Sequence, residues 1–335
     1  MHAAILWTIN DFPTYRNLSG WNTIGALACP SCYNETHSSY LKNGGKFCFM
    51  GLRHFLPIKN RWRLESKKFD GKKELGDYVL SQLCDLEFLI FRDGEKKRKH
   101  DELNKKDSWL KKSIFFKLPY WRTLLLRHNL DVMHIEKNVC ESIIGSLMNT
   151  LEKIKDNLKS RLDLKVMGIR EELHPIPYGE YLELPSACYT LSVNEHKVFC
   201  KFVKEVKFLD GYSSNIARCV NLKNQKISGL KSHDFHILLE TLLPLAIDGL
   251  LPEEVSALVS TPLIKLGSFF KALCSKVLSV DDLEKMENQI VIALSQLEKK
   301  FHSSFFDIMM HLPIHLAGEA MIVGLVQYWW MYPIE

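Results

Sequence analysis

The stretch Arg127-His-Asn-Leu-Asp-Val-Met-His-Ile-Glu-Lys-Asn-Val-Cys140 constrains this chain more than any other. It predicts a long helix that starts near Asp131 and runs on through Ile143, Ile144, Leu147 and Leu151. At the helical period, Val132, Ile135, Val139, Ile143 and Leu147 share one broad face. Glu136 falls inside that face, whereas Asp131, His134, Asn138 and Ser142 line another side. A carboxylate directed into a packed interface is costly unless something compensates it, and a metal ion is one such partner. The competing structural reading is a glutamate that snorkels to the rim or pairs with an arginine.

A chain of 335 residues is long enough for about two domains. With 46% hydrophobic and 25% charged residues its composition is that of an ordinary globular protein. No apolar run approaches the ~18 residues of a membrane span, so no membrane partner is expected. The opening Met-His-Ala-Ala-Ile-Leu-Trp-Thr-Ile-Asn-Asp has no basic leader. It predicts a buried strand over residues 3–9, stopped at Asn10-Asp11-Phe12-Pro13. Nine cysteines without a secretory signal suit a reducing compartment, as free thiols or metal ligands. The charge is uneven: residues 41–128 hold 22 Lys and Arg against 11 Asp and Glu, a net of +11. A local basic excess of this kind suits contact with a polyanion.

The composition divides the chain into residues 1–152, a linker over 153–183, and a mostly helical region over 184–335. Within the first part, residues 26–57 read as a loop-rich, zinc-like insertion and 58–112 as a basic tract, with a helix expected over 77–91. The linker is marked by Pro175, Pro177 and Gly179 after a mixed-charge helix. Ser192 with Glu195 spells a helix-capping box, and Ser232 is a second expected cap. Leu283, Met286, Ile290, Leu294, Leu297 and Phe301 form one amphipathic face.

Cys29-Pro-Ser-Cys32 presents two thiols at the spacing of a zinc knuckle. Cys48 and His54 can complete a tetrahedral set, with His37 as the alternative fourth ligand. So short a segment has little core of its own and needs a metal to hold it. Asp11, at the C-terminal end of the first strand, is a candidate ligand for a hard divalent cation, or simply a turn residue before Pro13. His233 with His236, and His311 with His315, are histidine pairs one helical turn apart, read more readily as structural. Lys72, Lys73, Lys96, Lys97, Arg98 and Lys99 are candidate phosphate contacts.

Several strings taken together, Leu6-Trp-Thr-Ile-Asn-Asp-Phe-Pro13, Ala28-Cys-Pro-Ser-Cys32, Phe69-Asp-Gly-Lys-Lys73 and the His128–Val139 run, resemble the transposase of plant CACTA (En/Spm-type) DNA transposons. Leu184–Leu191, Gly229–Asp234 and Met331-Tyr-Pro-Ile-Glu335 resemble the helical domain of unknown function that follows the catalytic region in those proteins. The resemblance implies an α+β protein: a ribonuclease-H-like α/β region with a zinc-knuckle-like insertion, then a helical domain. It implies a cut-and-paste enzyme acting on transposon ends in the nucleus, with Mg2+ or Mn2+ held by three acids. On that analogy Asp11 is the second acid and Glu136 the third, with Asp131 as the alternative. The family's first acid lies upstream of the strand at which this sequence starts, so the expectation is a truncated chain inactive alone. The other expected reading is a non-catalytic DNA- or protein-binding module, as a homo-oligomer or with an accessory transposon protein.

Overall fold

The computed structural model describes residues 4–56, 108–149, 155–208, 215–247 and 249–331. The helix expected over 77–91 and the lysines and arginine at 72, 73 and 96–99 lie outside them. The described chain is α+β, with helices dominating and four two-stranded sheets.

The first strand, β1 (Thr8–Asn10), is shorter than the sequence suggests, and Ile5 and Leu6 ahead of it are exposed. Its partner is β4 (His128–Leu130), parallel to it, in the register Thr8↔His128 to Asn10↔Leu130. Between them come α1 (Phe12–Ser19) and the hairpin β2 (Ser39–Leu41) with β3 (Lys46–Cys48). Asp11 caps α1 by accepting the Thr14 amide at 2.8 Å, and Pro13 occupies the first turn, where a missing N–H costs nothing. A parallel strand pair alone does not establish a ribonuclease-H-like sheet.

The helix read from the sequence is α2 (Val132–Met148), entered through Asp131, whose carboxylate accepts the Met133 amide at 3.1 Å. Val132, Ile135, Val139, Ile143 and Leu147 are all buried along it, as their spacing requires. Residues 155–183 are more than a connector. They form α3 (Leu158–Met167) and an exposed hairpin of β5 (Ile176–Tyr178) and β6 (Tyr181–Glu183), turned at Gly179 with φ +59°. Asp163 on α3 accepts the Asn43 and Gly44 amides at 2.8 Å each, tying α3 to the tip of the β2–β3 hairpin.

Ser192 and Glu195 form the expected reciprocal capping box on α4 (Val193–Glu205). A small hairpin follows, β7 (Val220–Asn221) with β8 (Lys226–Ile227). Ser232 is the first residue of α5 (Ser232–Ile237) rather than its cap. The cap position falls to Lys231, whose amide is taken by the Asp234 carboxylate at 2.9 Å. This helix passes through a π turn, Leu238–Leu242, into α6 (Leu243–Ile247). Then come α7 (Glu253–Leu273), α8 (Val280–Glu298), α9 (Ile308–His311) and α10 (Pro313–Val323). The six-residue face from Leu283 to Phe301 is buried throughout.

One continuous apolar core runs from Phe12 and Trp21 to Trp329 and does not divide at residues 153–183. Both ends of the chain therefore fold against each other. Glu298, at the end of α8, accepts the amides of Gly51 and Leu52, the latter at 3.3 Å. Glu319 on α10 accepts the Leu130 amide of β4 at 3.1 Å.

Candidate metal centre

Cys29 and Cys32 meet His311 and His315, one ligand atom from each lying within 4.8 Å of the others. Cys29 Sγ is 3.3 Å from His315 Nε2, and Cys32 Sγ is 3.2 Å from the same nitrogen and 3.3 Å from His311 Nε2. The two histidine nitrogens are 3.3 Å apart. Ligand bonds of about 2.3 Å to sulfur and 2.0–2.1 Å to nitrogen place tetrahedral donors roughly 3.3–3.8 Å apart. The four donors already stand near those edges, so the chemistry and the spacing both fit zinc.

Local folding explains the arrangement. After Cys29 the chain turns tightly: the Tyr33 amide donates to the Cys29 carbonyl at 3.0 Å and the Cys32 amide approaches the Cys29 sulfur at 3.3 Å. That turn points both thiols the same way. Trp21 packs edge-on against Tyr33 and Trp109, fixing the turn from behind. His311 closes α9 and His315 lies in the first turn of α10. The chain keeps helical dihedrals through Leu312, so the pair shares one face. Phe55 rests edge-on against both imidazoles and shields the cluster.

The electrostatics suit a metal-binding thiolate. Burial resists ionisation of Cys29, but its hydrogen bond with Cys32 and the nearby His315 and His311 hold its thiol well below the usual cysteine range. That hydrogen bond and burial push Cys32 up. Burial opposes protonation of His315, and the Cys29 thiolate outweighs it and raises the imidazole. A divalent ion would relieve this charge sharing by taking both thiols as thiolates.

The expected third and fourth ligands are not in this group. Cys48 sits in β3, where its backbone pairs with Ser39. His54 Nδ1 lies against the Gly51 carbonyl and His37 Nδ1 against the Met50 carbonyl at 3.3 Å. The donors that gather around Cys29 and Cys32 are instead His311 and His315. The signal was the spacing of His311 and His315, two imidazoles at i and i+4 on one helical face, which nothing in the sequence connects to Cys29.

The three candidate acids have different surroundings. Asp11 and Asp131 follow the paired residues Asn10 and Leu130, and the Asp131 amide donates to the Asn10 carbonyl at 3.2 Å. Asp131 is thus the acid whose backbone adjoins the end of β1. Glu136 turns to the helical half, where its Oε2 is 2.8 Å from His236 Nδ1. Among the described residues, no group of three or more potential ligands includes Asp11 or Asp131.

Residues 1–84 match the family described as Transposase family tnp2, and residues 273–335 match a domain of unknown function, DUF4218. The chain is transposase-related. The two thiols lie in the first matched segment and the two imidazoles in the second. No curated protein and no solved structure matches the chain.

Proposed function

We propose that the chain is the transposon-end-binding and strand-processing part of a CACTA-type cut-and-paste transposase, acting on DNA in the nucleus. The match of residues 1–84 to the tnp2 transposase family carries this reading. Cys29, Cys32, His311 and His315 bind one structural zinc, which clamps the segment following Asp11 to α9 and α10. Asp11 and Asp131 are the carboxylates that would hold Mg2+ or Mn2+, since hard cations take oxygen donors and these acids follow adjacent parallel strands. That ion would supply Lewis-acid stabilisation of a phosphodiester under attack. The basic excess of residues 41–128 supplies affinity for the DNA backbone.

A second reading, a transposase-derived module that binds DNA or protein without cutting, is favoured by one observation. The Asp11 carboxylate is engaged as a helix cap, and the described ligand groups lie elsewhere. Binding and Mn2+-dependent nicking of transposon-end DNA by the full chain, alongside Asp11→Asn, separate the two. Nicking lost in Asp11→Asn supports the catalytic reading. Binding with no nicking in either protein supports the module, and no binding at all sinks both.

A further inference from the structure

A second group of ligand atoms lies in the helical half: Glu136, His236, Glu240 and Cys274, mutually within 4.8 Å. They come from separate elements. Glu136 projects from α2, His236 from α5, Glu240 from the π turn, and Cys274 ends α7. His236 Nδ1 stands 2.8 Å from Glu136 Oε2 and 3.2 Å from Glu240 Oε1. Glu136 is 1% exposed, and its other oxygen, Oε1, is buried with no hydrogen-bond partner. A buried carboxylate oxygen left in that condition is costly, and one well-placed cation removes the cost.

The backbone around the group is built to bring these donors together. The π turn inserts an extra residue into the helix between His236 and Leu243, a feature that recurs at functional sites. Gly267 on α7 lies so close to it that a Cβ there would sit 2.5 Å from the Leu239 carbonyl. This close approach seats the end of α7, and with it Cys274, against Glu240.

We propose that Glu136, His236, Glu240 and Cys274 form a second metal site, independent of the first, which takes a zinc-class divalent ion and joins α2 to the π turn and α7. One imidazole, one thiol and two carboxylates are a mixed donor set suited to zinc or cobalt(II). Magnesium and calcium prefer oxygen alone. The alternative is a metal-free network in which the two carboxylates share protons with His236.

The test uses the full chain, stripped of metal and reloaded with zinc or cobalt(II). Wild type is expected to take up about two equivalents, one per tetrahedral site. Cys29→Ser with Cys32→Ser removes one. Glu136→Gln or Cys274→Ser removes the other and leaves the first in place. With cobalt in the Cys29→Ser, Cys32→Ser background, the remaining thiolate charge-transfer band disappears when Cys274→Ser is added. Should Glu136→Gln not fold, Cys274→Ser decides, because it exchanges sulfur for oxygen without changing shape. A second equivalent that survives Cys274→Ser in folded protein overturns the site. So does a folded Cys29→Ser, Cys32→Ser protein that holds no metal. DNA binding does not enter the readout, so failure here is distinct from failure of the transposase reading.

Discussion

Cys29 Sγ and His315 Nε2 lie 3.3 Å apart although 286 positions separate them in the chain. Bonds from both to a common ion would close a loop of nearly the whole protein, and long closures restrict the unfolded chain most. An ion held there would act on the global fold rather than on a small finger. Glu298 at Gly51 and Glu319 at Leu130 repeat the same long-range stitch without metal.

Zinc should accordingly depend on both ends. Metal analysis of the full chain is expected to show the same one equivalent of zinc lost on His311→Ala or His315→Ala as on Cys29→Ser. Cys48→Ser and His54→Ala should retain it. A peptide of residues 20–60 holds two of the four donors and should bind orders of magnitude more weakly, since closed structural sites need all four. Zinc bound tightly by that peptide would return the third and fourth ligands to Cys48 and His54.

Glu298→Ala should unfasten the cysteine-bearing segment from α8. Two backbone amides, those of Gly51 and Leu52, lose their acceptor. A buried donor left unpaired costs about 1–3 kcal/mol. Denaturant unfolding should show a loss in that range or above it. Glu298→Gln, which keeps an acceptor oxygen, should lose less.

The helices were legible because their signals are local. The Glu195 capping box, the α2 face and the α8 face are each written within a few turns, and each stands as the spacing requires. Of the four clustered donors, the sequence set only the two thiols side by side. Cys29-x2-Cys32 has the spacing of a knuckle by itself, but the approach of His311 and His315 depends on how α9 and α10 pack, which no spacing near Cys29 encodes. The position of Glu136 within an apolar face was enough to show that this carboxylate needs compensation. Its partner is His236, a hundred positions away, brought there by the packing of α2 on α5.

Acid should destabilise the fold through buried histidines. Burial, reinforced by Arg161, Lys46 and Lys155 and opposed by Asp156, holds His302 down to about 3. Burial likewise holds His128 down to about 3. An unfolded histidine titrates near 6.5, so between those values the unfolded chain binds more protons than the folded one. The contribution of these two histidines is complete above about pH 6.5 and falls as the pH drops toward 3, by up to about 1.4 kcal/mol per pH unit for each. His302→Leu should flatten this slope in unfolding curves measured from pH 7 to pH 4. An unchanged slope would show that His302 is not held neutral.

DNA affinity should be strongly salt-dependent and tolerant of sequence. Residues 41–128 carry 22 basic against 11 acidic residues, while residues 129–335 carry 21 against 26. Phosphates neutralised by this basic stretch release counterions, so the logarithm of affinity falls with the logarithm of salt by about 0.9 per phosphate. Charge reversal at Lys72, Lys73, Lys96 and Lys97 should lower affinity across unrelated sequences. It should also reduce the slope by roughly one for each phosphate no longer neutralised. Conservative charge-preserving changes at the same positions should leave it near wild type. The measurement is a titration of labelled duplex with the full chain at several salt concentrations. A slope that does not move on reversal of all four lysines would remove the basic tract from the DNA-binding surface and leave its charge as a solvated face.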